Sequence, residues 1–142
     1  MADLTTDITK TAAGMIGAYE QWAKGRLDYS VASLVVVDEL LDRLAEYVPE
    51  MTPEQVQVIA SDFGCYALEV ARKANGGVFR WFESRRQPVL VVGEPDFKVA
   101  IATWDVAEAR ARGDTGASIS FLYEGFGGRV KSARPGEDAL YV

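Results

Sequence analysis

Histidine is missing from this 142-residue sequence altogether. Its absence removes Ser–His and Cys–His activation of a nucleophile, imidazole acid–base chemistry and His-containing zinc sites. Cysteine occurs once, at Cys65, so no internal disulfide can form and nothing points to a small secreted scaffold held by bridges. Basic residues are the minority, 15 Lys and Arg against 21 Asp and Glu, for a net charge of −6. Nucleic acids and anionic membranes are gripped by clustered cations, so neither is expected as a partner. No apolar run is long enough to span a bilayer, and the opening MADLTTDITK lacks the basic-then-apolar layout of a signal peptide. A cytoplasmic protein is the expectation. Repeats, low-complexity tracts and interdomain linkers are also lacking. Residues 1–142 are therefore expected to form a single domain, with 1–5 and 132–142 as flexible ends. A chain of this length buries roughly 68–70% of its unfolded surface. It needs no metal or disulfide to fold, and no cofactor is indicated.

What the sequence does have is periodicity. Thr52 to Glu83 is its most strongly marked stretch. Thr52 suits an N-cap, Pro53 the first helical position and Gln55 the third residue of a capping box. Val56, Ile59, Phe63, Ala67, Val70 and Ala74 recur at spacings of three or four, which predicts one long helix. Asn75-Gly76-Gly77 stops it, since Asn and Gly accept the left-handed conformation of a C-cap. Gly64 lies in its interior at a cost of about 1 kcal/mol relative to Ala, which predicts close approach of a neighbouring element.

Two helices are expected before it. Ile8, Ala12, Met15, Tyr19 and Trp22 mark one over 6–24, with Thr6 as a cap and Gly25 as its end. Leu34, Val37, Leu41, Leu44 and Val48 mark another, started by Ser30 and supported by a Glu39–Arg43 pair. After the glycines the period changes to that of strands. Val78–Glu83, Val89–Val92 and Phe97–Ile101 predict three strands, joined by a hairpin loop at 84–87 and a turn at 93–96. A helix is expected from Trp104 to Arg112. Residues 117–130 suit helix or strand; the spacing of Ile119, Leu122 and Phe126 favours helix, against the glycines at 125, 127 and 128. The fold class is α+β: an N-terminal three-helix layer packed on a small antiparallel β-meander, with a helical C-terminal part.

The segments LDYSVASLVVVDELLDRL and GCYALEVARKANGGVFRWFE resemble a family of small bacterial proteins, a domain of unknown function. That family pairs a D-Y-S helix start with a G-x-Y-x-x-E-V helix that runs into G-G and an aromatic strand. The resemblance covers about residues 27–92. It implies the helix–helix–hairpin order and brings no activity with it. Val31 stands where the family often has a helix-starting proline.

Candidate functional residues fall in two groups. Asp62, Cys65, Tyr66, Glu69 and Lys73 share a second face of the long helix. They would line a polar cleft with Arg80 or Trp81 of the following strand, or else form a solvated face with a surface Glu69–Lys73 pair, which is the plainer alternative. Arg85 and Arg86 at the hairpin tip, beside Arg80 and Trp81, form the best basic patch and would hold a carboxylate or phosphate. The second group is Asp38, Asp42 and Glu46, running down one side of the second helix beside Glu39. Without a supporting His or Asp-rich loop they read as a charged outer face rather than a metal site. Cys65 sits mid-helix and reads as a small hydrophobe. Gly125–Arg129 lacks the G-K-[ST] ending of a phosphate loop and reads as a turn or helix cap. Trp22, Trp81 and Trp104 read as core anchors.

The leading function expected from the sequence is a non-enzymatic interaction or regulatory protein. Asp38, Asp42 and Glu46 would steer a basic protein partner. The alternative is a small enzyme or ligand-binding protein with a pocket between the third helix and the sheet. Its candidate residues are Asp62, Glu69, Arg80, Trp81 and Arg86, with Glu69 as acid or base and Arg80 or Arg86 holding an anionic group. Monomer and homodimer both stay open, a homodimer placing Tyr19 and Trp22 in its interface.

Overall fold

A computed structural model describes residues 3–142. Residues 1–2 of the expected flexible start lie outside the described residues. Over the described residues the chain is a mixed α+β protein of six α-helices and a four-stranded sheet.

The long helix forms as its ends dictate. Helix α4 (Pro53–Asn75) opens with a complete capping box. Thr52 Oγ1 accepts from the Gln55 amide at 3.2 Å, and Gln55 Oε1 accepts from the Thr52 amide at 2.9 Å. Gly76, at φ 74°, ends it. Its interior departs from a single apolar stripe, because every residue from Phe63 to Ala71 is buried. Helices α1 (Leu4–Ala18), α5 (Trp104–Ala111) and α6 (Ile119–Ser132) and strand β2 (Gln87–Val92) all pack on it. The expected solvated face is thus interior at Cys65, Tyr66 and Glu69. A helix enclosed on all sides needs apolar or satisfied side chains all round. Gly64 has the expected close neighbour: a Cβ there would lie 2.2 Å from Cδ1 of Trp104, the first residue of α5.

The predicted first helix is two helices. Asp3 rather than Thr6 caps α1, accepting from the Thr6 amide, so Leu4 and Thr5 are helical. Helix α2 (Glu20–Ala23) follows and ends at Lys24, φ 52°. Helix α3 (Ser33–Ala45) is preceded by Ser30, whose Oγ accepts from the Ser33 amide. The expected Glu39–Arg43 pair does not form. Glu39 pairs with Arg26 at 3.2 Å, and the Arg43 guanidinium lies 4.2 Å above the Trp22 ring.

Strands β1 (Val78–Phe82), β2 and β3 (Lys98–Ile101) make the expected antiparallel meander. Residues 132–142 are no simple tail. They carry β4 (Asp138–Tyr141), which pairs parallel to β3 with Ala139 opposite Val99 and Tyr141 opposite Ile101. The sheet is therefore mixed, in the order β1-β2-β3-β4. Helix α6 is helical as favoured, and it runs straight through Gly125, Gly127 and Gly128 instead of turning there. A Cβ at Gly125 would stand 3.1 Å from the Tyr141 ring, so the glycine makes room for β4.

Strand alternation sorts the sheet into two faces. Phe79, Leu90, Val92, Val99 and Ile101 point inward to Ile8, Cys65, Leu68, Ala71 and Phe126. Helix α3 packs against α5 and α6. On the other face Val89, Val91, Ala100 and Ala102 gather with Phe82 in a small cluster that contains no helical residue.

Candidate functional site

The second helix places its three acids in three different settings. Side chains four apart on an α-helix are rotated by about 40° from one another, so the row drifts around α3. Asp38 is 6% exposed, Asp42 lies at the edge and Glu46 is exposed. Asp38 meets the start of α6. Its carboxylate accepts from the Ile119 amide at 2.8 Å, the Ser120 amide at 3.2 Å, Ser118 Oγ at 2.7 Å and Ser120 Oγ at 2.8 Å. Those amides are orphan donors at the positive end of the helix dipole. Arg110 of α5 completes the junction, donating to Asp42 Oδ2 at 2.9 Å, to the Asp38 carbonyl at 3.2 Å and to the Ala117 carbonyl at 2.8 Å. The hydrogen bond to Asp42 is the main cause holding the Arg110 guanidinium above its ordinary value. The expected partner-binding face is corrected at Asp38, which is buried and joins α3 to α6; Asp42, which joins α3 to α5 through Arg110, and Glu46 are exposed.

Glu69 is 1% exposed, and its neighbours use both oxygens. Arg72 donates Nε to Oε1 at 3.1 Å and Nη2 to Oε2 at 2.9 Å, and Thr9 Oγ1 donates to Oε1 at 3.1 Å. The partner is Arg72, not the expected Lys73, whose Nζ sits 4.9 Å above the Tyr29 ring. The hydrogen bond from Thr9 ties Glu69 of α4 to α1, and the partly exposed Arg72 guanidinium lies 5.7 Å from the Phe79 ring of β1. An acid–base role would require breaking a bidentate ion pair whose carboxylate is buried, and a buried charge left without its partner is costly.

The other expected pocket residues are not brought together. Arg80 and Trp81 are adjacent on β1 and so face opposite sides of the sheet. Arg80 pairs with Glu94 at the surface. Trp81 is half-exposed rather than a core anchor; it donates to Glu83 Oε2 at 2.8 Å and meets Trp104 edge-on at 6.4 Å. Asp62 is half-buried on α4, and burial pushes its carboxyl above the usual aspartate range. Its charge also helps raise the Tyr19 phenol, after burial itself. Tyr19 packs 4.8 Å from the Phe63 ring, so it and Trp22 are drawn into the helical core.

Three cavities lie near these residues. One of about 230 Å³ lies between α1, α4 and the sheet, lined by Leu4, Ile8, Cys65, Trp81, Pro88 and Trp104 among others. Burial pushes its Cys65 thiol up to about 12, which leaves no thiolate for chemistry. A second, about 350 Å³, sits at the hairpin tip, where Arg86 joins Gln57, Gln87, Trp104 and Asp105. The third is a groove of about 230 Å³ on the outer sheet face, floored by Val89, Val91 and Ala100 and edged by Arg80, Lys98 and Asp138. Glu69 lines none of them.

Two further polar residues are interior: Tyr66, expected on the second face of the long helix, and Gln87, which sequence reasoning placed in the hairpin loop. Tyr66, fully buried, accepts from the Tyr29 amide at 2.9 Å and shares a 2.7 Å hydrogen bond with Ser33 Oγ. Gln87, 1% exposed, accepts from the Trp104 amide. A single polar residue in a strand carries no periodic signal, so the role of Gln87 was not visible beforehand, and the burial of Tyr66 depends on Tyr29 and Ser33 of other segments. Among the described residues no three His, Cys, Asp or Glu side chains gather as a metal-binding group, and no helix is long and apolar enough to cross a membrane. No family model, curated protein or solved structure matches the chain.

Proposed function

We propose that this chain is a non-enzymatic, cytoplasmic interaction module that binds an apolar segment of a protein partner on the outer face of its sheet. One observation carries this: Val78 (52%) and Leu140 (45%) are exposed on either side of a groove whose floor, Val89, Val91 and Ala100, is 3–6% exposed and has no helical residue in its cluster. Apolar surface rimmed by polar side chains marks interaction sites. The rim is balanced in charge, since Arg80 pairs with Glu94 and Lys98 stands opposite Asp138 in the strand register. A neutral, apolar stretch of a partner fits such a groove better than the basic one first expected. In the layering that goes with this, α1, α4 and α6 form the layer under the sheet, and α2, α3 and α5 lie beyond α4. Kinship with the small bacterial proteins described above remains part of the proposal and supplies no activity.

The test is a pull-down of the tagged chain from lysate of its source organism, at low and moderate salt. It compares the wild type with Val78→Lys/Leu140→Lys. One stoichiometric partner, kept at moderate salt and lost with the double variant, is the expected result. Equal recovery by the double variant would reject the outer face as the binding surface.

A further inference from the structure

The cavity at the hairpin tip has an unusual polar lining. Gln87 Oε1 accepts from the backbone N–H of Trp104 at 3.1 Å. That donor fixes which end of the amide faces it, because only the oxygen can accept. Gln87 Nε2 is left buried and without an acceptor. Buried polar groups are nearly always paired, so an unpaired donor on a side chain 1% exposed is a place where a ligand's acceptor belongs.

The charges around it point the same way. Arg85 is taken by Asp105 at 2.9 Å, and Glu108 by Arg112 at 3.1 Å. Arg86, at φ 52° in the turn, makes no ion pair among the described residues. The cavity therefore carries one uncommitted positive charge. It also lies at the start of α5. There the Thr103 hydroxyl is spent on the Gly64 carbonyl at 2.7 Å instead of capping the helix, and Gln87 Oε1 takes the Trp104 amide in its place, which sets the Gln87 amide at the positive end of α5.

We propose that this cavity binds a small organic carboxylate. Gln87 Nε2 and the Arg86 guanidinium donate to its oxygens, and the Trp104 indole walls its apolar body. The volume of about 350 Å³ suits a small molecule. A phosphate group, with a charge of about −1.5 to −2, fits less well beside Asp105 and Glu108 with a single free cation to offset it.

The experiment is a titration of the isotopically labelled full chain with benzoate and, separately, with inorganic phosphate at matched ionic strength, followed by NMR. Saturable movement of the Gln87 side-chain amide and Trp104 indole signals is expected with benzoate. Arg86→Gly keeps the left-handed turn without strain and should weaken benzoate binding about tenfold or more. Gln87→Leu should weaken it too, and unchanged backbone signals elsewhere would show that both variants stay folded. No saturable shift with benzoate, equal binding by Arg86→Gly, or binding of phosphate alone would overturn the assignment. This cavity and the outer sheet groove share no lining residue, so either proposal can fail without the other.

Discussion

Asp38 and Asp62 are both aspartates on helices of the core, and their surroundings treat charge in opposite ways. Asp38 receives four hydrogen bonds from the first turn of α6. Asp38→Ala would leave buried amides without an acceptor, at a cost of about 3 kcal/mol in urea unfolding. Asp38→Asn keeps one acceptor oxygen and should cost less. Asp62 has been given no such donors, and burial raises its carboxyl. The folded state then holds the proton more tightly than the unfolded state. The penalty for charging Asp62 is absent below the ordinary aspartate value near pH ~3.9. It grows as pH rises through the higher folded value. Asp62→Asn should therefore raise the thermal midpoint at neutral pH, and the gain should vanish in acid. A gain that persisted in acid would mean that charge burial is not its cause.

Among the elements, α4 shows most clearly what local chemistry can and cannot announce. Its capping box, its proline start and its glycine stop are all contained in a few consecutive residues, and all were legible. So was the need for a close neighbour at Gly64. Which neighbour it was could not be read, because Trp104 arrives from a helix far along the chain. The same distance hid β4, whose four residues pair with β3 across the whole of α5 and α6. It also hid the burial of Asp38 and Glu69, whose partners Ser118, Ile119 and Thr9 lie on other elements. Periodicity tells how a helix would divide between core and water if it had one buried side; between Phe63 and Ala71 α4 has none to spare for water. Two glycine replacements separate these cases. Gly64→Ala forces a methyl into the Trp104 ring and should destabilise by about 1–3 kcal/mol. Gly14→Ala, in open space on the exposed side of α1, should stabilise by roughly 1 kcal/mol. Chemical denaturation of both measures the difference.

At the scale of the molecule, β4 closes the structure. It covers the open side of β3, and its Tyr141 ring meets Phe126 of α6 edge-on at 6.4 Å. A chain ended after Gly136 should unfold at lower urea and scatter light on standing, because a bare strand edge invites pairing between molecules. Unchanged stability would make β4 peripheral. The enclosure of α4 has a consequence in time. Its neighbours are split between α1, made before it, and β2, α5 and α6, made after it. A nascent chain that has emerged only as far as Asn75 presents the buried stretch Phe63–Ala71 with three of its walls still to be synthesised. Native contacts at such sequence separation form slowly. Ribosome-bound chains halted there should be cut readily by protease within Phe63–Ala71. Protection should arrive late and abruptly, once α6 and β4 have cleared the exit tunnel.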